Sequence, residues 1–182
     1  MKRFFRKNWF HLLIWTVMFI YLMSAPDLYV QFFLKNGKPI QIDGGRPLDS
    51  EQIRFTIDSL TPQVVEGQAL YELSGWAFSL MDKSISPDMY NRTIVLTSDS
   101  NTYFFPVQTV QRSDVQQVFK NLNMDLSGSG FRVLISKDVI QPGEYRIGIS
   151  FENPVTGLAH YSDKPDRYII RSANRLSYVD RK

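Results

Sequence analysis

The chain has no cysteine and only two histidines in 182 residues. Disulfides, thiolate nucleophiles and cysteine-based zinc sites are therefore excluded. His11 sits in an apolar N-terminal run, which leaves His160 as the one imidazole in the rest of the chain. A single histidine falls short of the three or four protein ligands a zinc site needs. A Ser-His-Asp triad would have to use His160, and no Gly-x-Ser-x-Gly elbow accompanies it. Gly128-Ser129-Gly130 reads instead as a flexible turn. Acids are common, but no two are set apart as a sugar-hydrolysing pair. The sequence thus singles out no catalytic residue and implies no metal or cofactor.

The first 25 residues contain no acid at all. Lys2, Arg3, Arg6 and Lys7 precede an uncharged run, Trp9 to Ala25, broken in its apolar character only at His11, Thr16 and Ser24. As a helix this run covers roughly 26 Å, a little less than the hydrocarbon core of about 30 Å. Trp9 and Tyr21 or Tyr29 are placed to meet the two interfaces. Trp9, Leu12, Trp15, Phe19, Tyr21 and Leu22 are the expected anchor contacts with a lipid bilayer. The segment also has the outline of a cleaved signal peptide. Cleavage after Ala25 would put Met23 where a small residue is needed and Pro26 just past the cut. Retention is the favoured reading. The basic flank places the N-terminus in the cytoplasm and the bulk of the chain outside it.

The whole basic excess belongs to that flank. Four of the 21 Lys and Arg fall in the first 25 residues, which leaves 17 against 18 Asp and Glu in the rest. A near-neutral outer domain has no field to draw nucleic acid. An outer domain without disulfides is ordinary in a bacterial envelope and unusual among animal secreted modules. The expected location is the bacterial cytoplasmic (inner) membrane, crossed once. The expected divisions are a cytoplasmic flank (1–8), a transmembrane helix (9–25), a juxtamembrane segment and linker (26–50), an extracytoplasmic domain (51–172) and a frayed polar tail (173–182). Leu28 to Leu34 is apolar past Pro26 and reads either as an interfacial helix or as a partner-facing surface, with Phe32 and Phe33 as contacts.

From Ile53 onward the apolar period is two. Strands are predicted over 53–57, 69–78, 93–97, 102–107, 131–135, 144–151 and 167–172, with a short one near 158–161. Pro106 marks an edge position or a strand end. Turn residues separate the runs, which argues a β-sandwich. Residues 113–123 differ: Val115, Val118, Phe119 and Leu122 make a helical stripe, with Ser113 as N-cap.

Gly75-Trp76-Ala77-Phe78 reads as a core tryptophan on a central strand, with an exposed sugar-stacking ring as the alternative. Arg112 and Asp114 flank the helix start and read as a clamp, or as ligand or partner contacts. Tyr145 follows the Pro142-Gly143 turn; it is expected to bury its ring and bond a backbone carbonyl, as in a tyrosine corner. Trp76, Phe78, Phe131 and Tyr145 are the expected core.

Together, Gly75-Trp76-Ala77-Phe78, Arg112-x-Asp114-Val115, Ser129-Gly130-Phe131 and Pro142-Gly143-x-Tyr145-x-Ile147-x-Ile149 resemble a bacterial extracytoplasmic Ig-like β-sandwich module associated with envelope-polysaccharide and glycosyltransferase-linked membrane proteins. The resemblance spans residues 53 to 171 and brings no catalytic residue with it. It implies a sandwich in a cell-envelope setting. With the helical stripe and the N-terminal run, the expected fold is mainly β: an Ig-like antiparallel β-sandwich with one short inserted helix, behind a single transmembrane helix. The expected role is a non-catalytic accessory or interaction subunit of a larger membrane protein or complex. A glycan-binding module is the alternative, and a small envelope enzyme ranks third.

Overall fold

Alternating apolar and polar residues build the strands of the computed structural model, which describes residues 48–49, 52–65 and 67–181. The predicted helix at 9–25 with its aromatic anchors, and Phe32 and Phe33, lie outside the described residues. Among those described, no helix is long and apolar enough to cross a membrane.

The strands are β1 (Leu48–Asp49), β2 (Ile53–Val65), β3 (Gln68–Ser79), β4 (Asn91–Thr97), β5 (Thr102–Pro106) and β6 (Gln108–Val110). After helix α1 (Ser113–Val118) come β7 (Gly130–Ile135), β8 (Gly143–Glu152), β9 (Ala159–Arg171) and β10 (Leu176–Asp180). One sheet is antiparallel in the order β2-β3-β7-β6. The other runs β9-β8-β4-β5, and the outer edge of β9 takes β10 antiparallel and β1 in a short parallel pairing. Pro106 closes β5, an edge strand.

The sheets face each other across one core. Ile53, Phe55 and Ile57 of β2 and Phe131, Val133 and Ile135 of β7 meet Ile94 and Leu96 of β4 and Ile147, Ile149 and Phe151 of β8. Each such side chain contributes about 1.5–3 kcal/mol on burial. Tyr145 is buried at the start of β8, and its hydroxyl donates to the Gln141 carbonyl at 2.9 Å. The Tyr103 hydroxyl accepts from the Gln141 amide at 3.2 Å, so two tyrosines fix both ends of that residue's backbone.

Five sequence expectations are corrected. Residues 158–161 and 167–172 belong to one long strand, β9, whose register shifts opposite Arg146 and Gly148. The tail is not all frayed: Leu176 is buried and Tyr178 packs against the core, so β10 pairs β9. The predicted helix stops at Val118 and tightens into a 3-10 turn at Lys120–Leu122, closed by Asn123 in the left-handed region at φ 53°. That break leaves Val118 exposed, while Val115, Phe119 and Leu122 keep the inner stripe. Ser113 is the first helical residue, with Arg112 in the capping position.

The fifth correction concerns Trp76. It lies on the outer face of β3, away from the sandwich core. There Trp76 and Phe78 are covered by Val115, Phe119, Met124 and Leu126 from the segment between β6 and β7. The Trp76, Phe78 and Phe119 rings pack with centroids 5.1–5.6 Å apart. Gly75, on the opposite face, leaves room for the Phe131 ring; a Cβ there would come within 2.7 Å of Phe131 Cζ and would also meet the Thr56 carbonyl.

One inward position carries a charge. Arg92 alternates with Ile94 and Leu96 and is buried. Its guanidinium donates to the Ser129 carbonyl at 3.0 Å, the Gly130 carbonyl at 3.2 Å and the Thr109 hydroxyl at 2.8 Å. Burial pushes its pKa down to about 10, against an upward pull from Asp88. It therefore remains a cation at neutral pH. Arg92 thus fastens β4 of one sheet to β6 and β7 of the other. Replacing it, Arg92→Ala, leaves two buried carbonyls unpaired and should cost about 3 kcal/mol in urea denaturation. Arg92→Lys should recover only part of this, because an ammonium lacks the planar fork. A loss below about 1 kcal/mol for the alanine variant would contradict the clamp.

Candidate functional site

The residues singled out as contacts, Arg112 and Asp114, stand where the insertion leaves β6. The Arg112 amide donates to the Ser127 carbonyl at 2.7 Å, which closes the insertion's neck. Its side chain crosses the outer face at Gly130, where a Cβ would come within 2.5 Å of Arg112 Cγ. The guanidinium then ends between two acids. It donates to both Asp114 oxygens, at 2.8 and 2.7 Å, and to Asp58 at the bulge in β2. These donations hold the Asp114 carboxyl at about 2, below its ordinary 3.8, and raise the Arg112 pKa.

Within the insertion, Gln116 braces the return of the chain. Its amide nitrogen donates to the Met124 carbonyl at 2.9 Å, and its oxygen accepts from the Leu126 amide. Asp125 accepts from the Ser127 amide and hydroxyl, which lowers its pKa. Gly128 and Ser129 are buried at the foot of the insertion, so the segment expected as a flexible turn is the part that Arg92 holds. These bonds give Arg112 and Asp114 the geometry of a clamp.

A second feature lies at the far end of the larger sheet. The β4–β5 turn and the segment before β8 enclose an open recess of about 600 Å³. Asp99, Asn101, Gln141, Glu144, Arg146 and Tyr168 line it. Its walls are charge-paired: Arg146 with Asp163 at 3.0 Å, and Arg181 with Glu144 at 2.7 Å. Arg181 also lies over the Tyr168 ring, 4.8 Å from its centroid. The recess offers hydrogen bonds and one aromatic face, and no side chain in it is set up as a nucleophile with an adjacent base. Outside its lining, Phe104 is half-buried on the outer face of the same sheet, opposite Val95, and the Tyr161 ring lies across Gly148. Phe105, by contrast, is in the core.

His160 is half-buried on β9, opposite Phe151 and Leu48. Among the described residues no three His, Asp or Glu side chains converge as a metal site. Sequence reasoning missed Arg92, which sits inside Asn91-Arg92-Thr93. Its signal was a basic residue in phase with Ile94 and Leu96.

No protein-family profile, curated protein or solved structure matches the chain.

The clamp has a pH signature. Because the folded Asp114 pKa is lowered, its pairing adds stability that is fully present above the ordinary carboxylate value and lost as pH falls through about 2. Hydrogen exchange of the 113–119 amides should show protection falling from pH 4 to pH 2. Asp114→Asn should give weaker protection that no longer changes over that range. An unchanged profile in the variant would remove Arg112–Asp114 as the clamp.

Proposed function

We propose that this chain is a non-catalytic accessory or interaction subunit of a bacterial cell-envelope assembly. In this reading it is anchored in the cytoplasmic membrane by residues 9–25, with an Ig-like sandwich outside. The carrying observation is where the charged side chains go. Arg112 is closed on Asp58 and Asp114, Arg92 on backbone carbonyls, Arg146 on Asp163 and Arg181 on Glu144. The organised polar groups stabilise the fold. Strand order also supports the reading: β2-β3-β7-β6 follows the A-B-E-D sheet of an immunoglobulin sandwich, and β9-β8-β4-β5 follows G-F-C with one added strand. Tyr145 near the start of β8 corresponds to a tyrosine corner. Such modules work through faces and loops.

The full-length chain, extracted from bacterial membranes in mild detergent after crosslinking, should co-purify with a larger membrane protein. Recovery as a lone monomer would count against the proposal.

The polar recess, with Tyr168 in its lining and Phe104 on the same outer face, favours a second reading, an exposed glycan-binding face. Sugars stack on aromatic faces while polar neighbours take their hydroxyls. In that case the full chain in nanodiscs should retain envelope polysaccharide, and Tyr168→Ala or Phe104→Ala should weaken retention roughly tenfold, the equivalent of about 1.4 kcal/mol. Equal retention by the variants would end this reading.

A further inference from the structure

We infer that the sandwich rests on the membrane by one end, with the tip of the β8–β9 hairpin inserted in the outer lipid interface. The inference rests on the anchored reading above and adds a second, peripheral contact with the same bilayer.

The N-terminal chain enters the sandwich at that end. Leu48 pairs with His160 and Asp49 with Tyr161, at the start of β9. Ile53 then pairs with Ser79 at the end of β3, and the Gln52 carbonyl accepts from the Leu80 amide. From Ala25 to Leu48, even a fully extended chain spans at most about 80 Å. The sandwich is thus confined near the membrane, which favours a weak contact that would fail for a free domain.

The hairpin tip, residues 153–158, has three properties that suit a lipid interface. It carries no charged side chain. It presents two large apolar residues to solvent, Val155 at 90% and Leu158 at 59% exposure. Its amides are paired within the tip. The Asn153 side chain accepts from the Val155 and Thr156 amides, and the Asn153 carbonyl accepts from the Gly157 amide. The Leu158 amide donates to the Thr156 hydroxyl, the Asn153 amide donates to the Leu158 carbonyl, and Pro154 has no N–H to satisfy. Leaving water therefore strips few hydrogen bonds from these donors. Asn91 pairs with Glu152, which brings Met89, 64% exposed, to the same end. Asp82, Lys83 and Asp88 share the loop with Met89 and keep it shallower than the hairpin. At the opposite end lies Val64, 76% exposed and next to last in β2.

The chain has no cysteine, so each introduced one labels a single position. Val155→Cys, Leu158→Cys, Met89→Cys and Val64→Cys would carry an environment-sensitive fluorophore in the full chain. The chain would be reconstituted in phosphatidylethanolamine–phosphatidylglycerol vesicles, with nitroxide-labelled lipid as quencher. Labels at 155 and 158 should shift to the blue and be quenched roughly twofold more than the label at 64, with 89 in between. Equal, water-like emission at all four positions in a chain that floats with the vesicles would overturn the inference and leave the anchor intact. Failure to float would overturn both. Labels at 155 and 158 shielded from aqueous iodide but untouched by the lipid quencher would mean that protein covers the tip, which also overturns the inference.

Discussion

A buried guanidinium joins the two sheets. Arg92 occupies an inward position that alternation would give to an aliphatic residue, and it donates to two backbone carbonyls and one hydroxyl. An unpaired charge there would be prohibitive, so the carbonyls of Ser129 and Gly130 must be presented to it. That requirement fixes where β7 begins, and with it the foot of the insertion. The insertion's other leg is fixed by Arg112, which lies across Gly130 and ends between Asp58 and Asp114. Two arginines thus set the path of a segment whose α-helix is six residues long. A helix so short is marginal in isolation and takes its stability from what it packs on.

The insertion in turn explains why the second half of β3 is covered on both faces. Leu73 and Ala77 face the sandwich core, while Trp76 and Phe78 face the insertion. The neck of the sandwich, where the N-terminal chain enters, carries the apolar hairpin tip. The far end carries the polar recess. In the proposed reading these ends have different neighbours: lipid on one side, and a partner or the envelope polymer on the other.

Much of this was legible in the sequence where one face of a strand meets solvent. Ile53-Phe55-Ile57 and Tyr145-Ile147-Ile149 alternate cleanly, and their strands were predicted within a residue or two except where β2 extends as a solvent-exposed hairpin arm. Trp76 was misplaced because a strand buried on both sides loses its alternation, so nothing local tells inside from outside. β10 was missed because Leu176 and Tyr178 are the only side chains it sends into the core, from a strand of five residues inside a mostly polar tail. β6 is three exposed residues and exists only through pairing with β7. At the candidate site, Arg112 and Asp114 were found because their spacing at a helix start is local. Asp58 and Arg92 were not, because their partners are distant in the chain: Arg112 lies 54 residues from Asp58, and Thr109, Ser129 and Gly130 lie 17, 37 and 38 residues from Arg92.

The central claim is an uncleaved anchor that holds the sandwich outside the cytoplasmic membrane. Protease protection in bacterial spheroplasts, with a different epitope at each end of the full-length chain, tests it most directly. The account predicts a membrane-bound product of full-length mass whose C-terminal epitope is removed by external protease while the N-terminal epitope survives. A product that begins at Pro26, or a C-terminal epitope protected until the membrane is broken, would contradict it.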